Sequence, residues 1–232
     1  MGFAPLSPTQ NKFGAGTIYM APLATAVPTL TVVAGKFTQA FTGWYAVGGT
    51  SAGLTLTRNP ATSDFNVAES FYPQHILQTG DDMQGSFTID QINKQNLAFA
   101  MNAASAATLA GAASGSASGA QGNFSNSGTG ASRVTAFNLP AIGSQVDCML
   151  AWQSQDDDEV VFMYEVTQVA SVAPNMNKGP QAQELLMQLR CVLPATNPDL
   201  NVGATSTQVQ PWRWYFAGTL FDPTGTLVGQ PY

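Results

Sequence analysis

The chain has 232 residues, enough for one large all-β domain or two small ones, and none of its apolar runs is long enough to span a bilayer. Only 9% of the residues are charged, well under the roughly 25% usual for soluble globular domains, and a chain so poor in charge tends to associate with itself. The net charge is −6 and the eight Lys and Arg residues are scattered singly, which argues against a specific nucleic-acid binder because no basic cluster could neutralise a run of phosphates.

Residues 1–35 predict an extended arm, because four prolines lie there among small and β-branched residues, namely Pro5, Pro8, Pro22 and Pro28. Short strands are expected within it at 17–20 and 30–33. Such an arm covers a sheet edge of its own chain or reaches a neighbouring subunit. The first residues contain no positively charged segment followed by an apolar one, so we expect no secretory signal.

The stretch from Trp44 to Asn102 predicts a half-buried sheet, because apolar and polar residues alternate along it. Phe87 and Ile89, for example, oppose Ser86 and Thr88. Strands are expected at 37–47, 54–57, 63–70 and 86–90, with a further short segment at 75–78. Turns or breaks are expected at Gly48-Gly49, Asn59-Pro60, Tyr72-Pro73 and Asp81-Asp82.

One short helix is predicted over residues 91–102. Asp90 is placed to act as its N-cap by accepting hydrogen bonds from the first free amides. The apolar stripe of this helix, which should cover one open end or face of the sheet, consists of Ile92, Leu97, Phe99, Ala100 and Met101.

Residues 103–131 predict a long inserted loop, since the stretch consists almost wholly of Ala, Ser, Gly, Thr and Asn. Leu109 and Phe124 are its sizeable apolar residues. Burial of so little apolar surface does not compensate for the conformational entropy that the loop would lose on ordering. In an isolated subunit the loop should therefore be mobile. We expect contact with another copy of the chain to order it.

A second group of strands follows, at 134–137, 146–153, 160–167, 184–193 and 212–216. A solvated hairpin loop is expected at 153–159, and a C-terminal extension at 218–232. Cys148 and Cys191 both lie in apolar alternating runs. They are interpreted as buried reduced thiols, with a disulfide across neighbouring strands as the alternative.

The residues that carry enzyme chemistry are few. His75 is the only histidine and is expected in a loop. A multi-histidine zinc site and a histidine-dependent catalytic triad are therefore not expected. The acidic run Asp156 to Glu159 lacks the ligand spacing of an EF-hand loop and is interpreted as part of the hairpin loop. We therefore predict no catalytic residue, no metal site and no cofactor.

The order of these features resembles the major tail tube proteins of long-tailed, siphovirus-type bacteriophages. The resemblance rests on Gly16 to Pro22, on Trp44 followed by Val47 to Thr50, on Gly53 to Leu56, and on Gly85 to Asp90 leading into the helix. It covers the first hundred residues well and the rest by pattern. It implies an all-β fold, a β-sandwich or flattened barrel with one flanking helix, in which residues 36–232 form a single domain after the arm.

The resemblance also implies a function. Such proteins form rings, hexameric in this family, that stack into the tail tube through which the genome passes into the host. The implied partners are further copies of the chain, the tape measure, terminator and distal tail proteins, and double-stranded DNA that passes without sequence-specific binding. The expected location is the virion tail, after assembly in the host cytoplasm, and no enzyme activity is expected.

Two sets of residues follow from this resemblance. The first set is expected to line the channel wall, with Thr55 and Thr57 as weaker candidates. The alternative is that these polar faces meet solvent or another subunit. The predicted channel-lining residues are Asp64, Asn66, Ser86, Thr88 and Asp90. The predicted inter-subunit residues are Tyr19, Leu109, Phe124 and Tyr232.

Other functions remain open at this point. A capsid decoration protein or other virion structural protein belongs to the same broad class. A carbohydrate-binding or adhesive β-sandwich would use the aromatic strand from Trp212 to Phe216 as its platform. A β-fold hydrolase is least favoured, because the sequence has no nucleophile motif.

Overall fold

The computed structural model describes residues 16–65, 75–114, 119–121, 123–127, 134–170, 184–199, 201 and 209–217. Within them the all-β prediction is confirmed, and the main sheet curls into a half-barrel. The strands are β1 Gly16–Pro22, β2 Val32–Val33, β3 Lys36–Phe37, β4 Tyr45–Ala46, β5 Thr50–Phe65, β6 His75–Ile89, β7 Gly119–Gln121, β8 Phe124–Ser127, β9 Val134–Phe137, β10 Cys148–Ser154, β11 Glu159–Gln168, β12 Leu185–Cys191 and β13 Trp212–Phe216. The helices are α1 Lys94–Ala100 and α2 Ala106–Ser114.

The main sheet has eight strands, in the order β4-β1-β10-β11-β12-β6-β5, with β13 also paired to β11. Every pairing is antiparallel. β11 pairs with β13 over Glu159 to Met163 and with β12 over Val166 to Gln168. The sheet therefore forks beside β11, with β13 on one branch and β12, β6 and β5 on the other.

Apolar residues pack on both faces of this sheet, as alternation along its strands requires. The first face carries the larger core and is covered by α1 and α2; among its buried side chains are Phe87, Ile89, Phe99, Leu150, Met187 and Leu189. The second face carries a smaller, aromatic core that residues 23–44 cover. This covering segment brings Phe37 and Trp44 against Phe162 and Tyr164, and Phe41 stacks on Tyr19 with ring centroids 4.1 Å apart.

Helix α1 is shorter than predicted and begins differently. Its N-cap is Asn93, whose side chain accepts from the amide of Asn96 at 2.7 Å, so the prediction of Asp90 as N-cap was wrong. Asp90 directly follows β6, and its amide donates to the carbonyl of Gly49. Asn102 follows the helix with a φ of 51°, a left-handed conformation that asparagine adopts more readily than most residues.

The segment predicted as a mobile loop at 103–131 contains α2, β7 and β8. The described residues thus contain two helices, where the sequence predicted one. Alanine and serine lose little side-chain entropy on ordering, and two large side chains, Leu109 and Phe124, anchor the segment in the main core with exposures of 0% and 1%. Thr108 adds a hydrogen bond to Asn123 at 3.2 Å. Residues 115–118, 122 and 128–131 lie outside the described part of the chain.

Strands β5 and β6 form one long hairpin ladder rather than the shorter strands predicted. His75 and the Asp81-Asp82 pair lie within β6, not in loops, and Pro60 lies within β5. Among the described strands β5 is at the sheet edge, where a residue without an amide hydrogen is tolerated. The strand predicted at 37–47 is instead mostly irregular chain between β3 and β4, because its aromatic residues cover the second face.

Strand β1 confirms the strand predicted at 17–20, but it does not extend away from the domain. It pairs with β10 along its whole length and with β4 at Tyr19 and Met20. Residues 16–22 are thus an inner part of the sheet, and the predicted arm is not separate there. Residues 1–15 and the extension at 218–232 lie outside the described residues, so the domain limits stay a prediction.

Candidate functional site

Among the described residues, cover on the second face of the sheet extends over one half only. On the other half, nine side chains of β5, β6 and β12 point away from the main core and are exposed or half-buried among the residues that the structure describes. We call this surface the open face. Its residues are Thr55, Thr57, Asp82, Gln84, Ser86, Thr88, Leu186, Gln188 and Arg190.

The strand register brings these side chains into rows across the sheet. Ser86 pairs with Thr55 on one side and with Gln188 on the other. Gln84 pairs in the same way with Thr57 and Arg190. Since directly opposed side chains in antiparallel strands lie close together, the open face is a continuous surface of hydroxyl and amide groups. Leu186 is its one large apolar residue and is 51% exposed.

The residues predicted to line a channel fall partly on this face. Ser86 and Thr88 lie on it, together with the weaker candidates Thr55 and Thr57. Asp90 follows at the end of β6, where one carboxylate oxygen is buried without a hydrogen-bond partner in the described part of the chain. Asp64 belongs to β5, but the structure does not describe its side chain, and Asn66 lies outside the described residues.

The charged residues of the open face were missed by the sequence analysis. Arg190 Nε donates to one carboxylate oxygen of Asp82 at 2.8 Å, and Gln84 Nε2 donates to the other at 2.7 Å. The hydrogen bonds from Gln84 and from Arg190 lower the pKa of Asp82. Asp82 was assigned to a turn, so nothing in the sequence indicated that its side chain meets Arg190.

Asp147 and Glu165 form a pair of carboxylates that borders the open face near the end of β11. Thr167 Oγ1 donates to Asp147, and burial followed by the charge of Asp147 raises the pKa of Glu165. Thr167 pairs with Arg190 in the strand register, which places it next to the open face. This border is acidic, in keeping with the net charge of the chain.

Side-chain amides of Gln168 and Asn102 hold β12 in place beneath the open face. The Gln168 side chain accepts from the amide of Gln188 at 2.9 Å and donates to the carbonyl of Leu186 at 3.3 Å. Asn102 in turn bonds both backbone groups of Gln168, each at 3.0 Å. The end of α1 is thereby connected to the strand that carries Arg190, through contacts between residues far apart in the sequence.

The residues predicted to contact other subunits have different surroundings. Leu109 and Phe124 are buried in the main core of their own chain, and an inter-subunit role for them stays a prediction. Tyr19 is half-buried and stacks on Phe41. Tyr232 lies outside the described residues, so its role stays a prediction.

The described residues contain no group of three or more side chains placed to hold a metal ion. Cys148 and Cys191 are free thiols, as interpreted, and burial raises the pKa of Cys191 to about 12, which disfavours the reactive thiolate. In the acidic run, Asp157 accepts from Gln153 and Asp158 from Ser154, so these carboxylates stabilise the predicted hairpin turn. Within the described ranges no helix has the length and apolarity to cross a membrane.

The aromatic strand β13 is divided between the two faces. Trp212 packs against the main core, and Tyr215 against the second core. Trp214 and Phe216 stack with ring centroids 5.2 Å apart, and Trp214 donates to Glu159 at 3.1 Å. The platform expected for an adhesive protein is therefore reduced to two partly exposed rings.

Comparison with known proteins adds one positive finding. A family model described as phage tail tube protein matches residues 11–129, just over half of the chain. The matched region contains both β5 and β6, which carry most of the open face, while β12 lies beyond it. No curated protein matches the sequence.

Proposed function

Since the chain belongs to the phage tail tube protein family, we propose that it assembles into stacked hexameric rings whose lumen is the channel for genome delivery. The family is structural, which agrees with a sequence that has one histidine and no nucleophile motif. The protein is a component of the phage tail. Its assembly takes place in the host cytoplasm.

The observation that carries the proposal is the open face. A tube through which DNA moves needs an inner wall that DNA touches without being retained, and basic residues on such a wall would bind phosphates. Seven of the nine residues of the open face are uncharged, and its two charged residues pair with each other. A curled sheet with such a surface fits the inner wall of a tube.

Under this proposal Ser86, Thr88, Thr55, Thr57 and Gln188 line the lumen. Asp90 lies at the margin of this lining, and the assignment includes Asp64 and Asn66, which the sequence predicts to line the channel. The helices α1 and α2, which cover the opposite face of the sheet, then lie on the outer side of the tube.

Ring closure requires two different surfaces of each subunit to complement each other, because a head-to-tail contact generates a closed ring. Strand β5 supplies one candidate, since it is an edge strand among those described and is exposed along residues 57–63. Exposed strand edges pair readily with strands of another chain. The tape measure, terminator and distal tail proteins are the further partners, as in other tail tubes.

Labelling of assembled tubes tests the placement of the open face. Thr88→Cys puts a reactive thiol on the open face, and Lys94→Cys puts one on α1, on the opposite side of the sheet. Negative-stain microscopy should first show that both purified variants form tubes. A small maleimide should label both tubes, whereas a maleimide carried on a particle wider than the lumen should label Lys94→Cys alone.

Equal labelling of both tubes by the particle would place the open face outside and contradict the proposed channel wall. Protein that remains monomeric under all conditions would contradict self-assembly of the isolated chain into tubes. The native thiols do not interfere with this readout, because Cys148 is buried and Cys191 is half-buried with a raised pKa.

A further inference from the structure

The open face contains one cation, and that cation is paired. Arg190 is 59% exposed, and Asp82, its partner, is 24% exposed. The pair bridges β12 and β6 at 2.8 Å. An arginine this exposed, on a surface otherwise rich in neutral groups, is the residue of the open face best able to bind a phosphate, since its planar guanidinium matches phosphate oxygens.

The geometry holds the carboxylate against the arginine. Gln84, which is directly opposite Arg190 in the strand register, donates to Asp82 at 2.7 Å. The carboxylate is therefore fixed from its own strand while it accepts from Arg190 on the neighbouring strand. A partly exposed ion pair of this kind contributes little to stability, typically about 0–1 kcal/mol. Its larger effect is on the charge that the surface presents.

We propose that Asp82 masks the charge of Arg190, so that the open face does not bind the phosphates of a nucleic acid that passes over it. This rests on the proposed function, because the open face matters to nucleic acid only where nucleic acid meets it. Every subunit of a tube would repeat the pair, so the loss of Asp82 would create rings of unpaired arginines along the whole wall. Many weak phosphate contacts in series would then slow or stop the passage of DNA.

The same hairpin provides a matched control on its other face. Arg58 pairs with Asp81 at 2.8 Å, with exposures of 54% and 43%. Arg58 and Asp81 alternate with the open-face residues of β5 and β6, so this second pair lies on the opposite side of the hairpin. Asp81→Asn and Asp82→Asn thus remove the same charge from adjacent positions while exposing arginines on opposite faces.

The experiment measures co-sedimentation of a fluorescent single-stranded oligonucleotide with purified tubes over a range of salt concentrations. Wild-type tubes should bind little. Asp82→Asn tubes should bind measurably at low salt, with the slope of log affinity against log salt steeper by about 0.7 for each Arg190 that contacts a phosphate. The double variant Asp82→Asn with Arg190→Gln should return to the wild-type level.

A second probe separates this proposal from the placement of the open face. The same oligonucleotide, attached to a particle wider than the lumen, should not sediment with Asp82→Asn tubes but should sediment with Asp81→Asn tubes. Binding of the particle to Asp82→Asn tubes would support masking by Asp82 and contradict the lumen assignment. If Asp82→Asn does not assemble, Asp82→Ser removes the same charge. Wild-type-like binding by tubes that lack the Asp82 charge would overturn the proposal.

Discussion

Buried amide and carboxylate side chains decide how the parts of this fold are joined. Asn96, which is 2% exposed, donates to the carbonyls of Val47 and Gln91 at 2.9 and 2.7 Å. The side chain thus connects α1 to the chain that enters β5. Hydrogen bonds of this kind contribute modestly when made and cost more when one partner is left unsatisfied.

Asn96→Leu should therefore lower the free energy of unfolding by about 2 kcal/mol or more, because two carbonyl groups lose their donor. Urea unfolding of the unassembled subunit measures the change. Gln95→Leu, on the same helix, is the control and should have a smaller effect. Equal effects of the two substitutions would show that the Asn96 hydrogen bonds are not what stabilises this junction.

A second buried group lies on the other face of the sheet. Asp199, 1% exposed, accepts from the hydroxyls of Tyr164 and Tyr215. It also accepts from the Asn201 amide at 2.8 Å, while the Asn201 side chain donates to the carbonyl of Pro28 in the covering segment. The cluster therefore fastens the covering segment to β11 and β13.

This cluster predicts a loss of stability at high pH. Burial, followed by hydrogen bonding to Asp199, raises the pKa of Tyr215 from 10.0 to about 12, and the same causes raise the pKa of Tyr164. A raised pKa means that the folded state favours the neutral phenol. The resulting stabilisation is complete below the unfolded pKa and is lost as pH rises through the folded one.

The free energy of unfolding should thus fall between about pH 10 and 12 in the wild type. Tyr215→Phe should be less stable at neutral pH and show a shallower fall above pH 10. Unfolding by urea at stepped pH, with tyrosinate absorbance as a second signal, tests both. Identical profiles for the two proteins would mean that Tyr215 does not contribute to the alkaline transition.

At the residue scale, the sequence predicted which face of the sheet a side chain lies on, but not its long-range hydrogen-bond or ion-pair partner. Alternation placed Ser86 and Thr88 on one face and Phe87 and Ile89 on the other, as observed. Asn96, Asn102 and Asp199 each have a partner 35 or more positions away, and a pattern confined to neighbouring residues contains no information about such partners. The Asp82–Arg190 pair, 108 positions apart, was missed for the same reason.

Among the elements, local signals failed where a long pairing outweighed them. Pro60 and the Asp81-Asp82 pair are turn residues by local preference, yet both lie in a ladder that runs from Thr50–Ile89 to Phe65–His75. Strands β10, β11 and β12 had no such conflict and were predicted close to their observed bounds. The low apolar content of 103–131 indicated disorder. Apolar content does not show that the two large residues, Leu109 and Phe124, pack in the main core.

Leu109→Ala tests this corrected view of the inserted segment. Removing a fully buried leucine side chain should cost about 2–5 kcal/mol, measured by urea unfolding of the unassembled subunit. Ala107→Ser, at an exposed position of the same helix, should change little. Unchanged subunit stability combined with weaker tubes would instead support the predicted inter-subunit contact of Leu109.

For the whole molecule, the proposed channel makes charge on the open face a functional property. Ser86→Lys adds one cation per subunit at a position that tolerates a polar side chain. Tubes should still assemble, as seen by negative stain, while phage that carry this subunit should eject DNA more slowly and infect less efficiently, because the added cations bind phosphates.

Ser144→Lys, in an exposed loop, is the matched control and should leave ejection unchanged. Normal ejection through Ser86→Lys tubes would count against the open face as the channel wall. Loss of assembly with this variant would instead place Ser86 at a contact between subunits.

Pro60 affects how readily the unassembled subunit aggregates through strand β5. Strand β5, which has 16 residues and few charges, lies at the sheet edge among the described strands, and such a strand is a template on which foreign strands stack into amyloid-like aggregates. Proline is one of the residues by which natural edge strands discourage such pairing, and residue 60 has no amide hydrogen to donate. Uncontrolled fibre growth is thereby discouraged in a protein whose concentration must become high before a tail can be built.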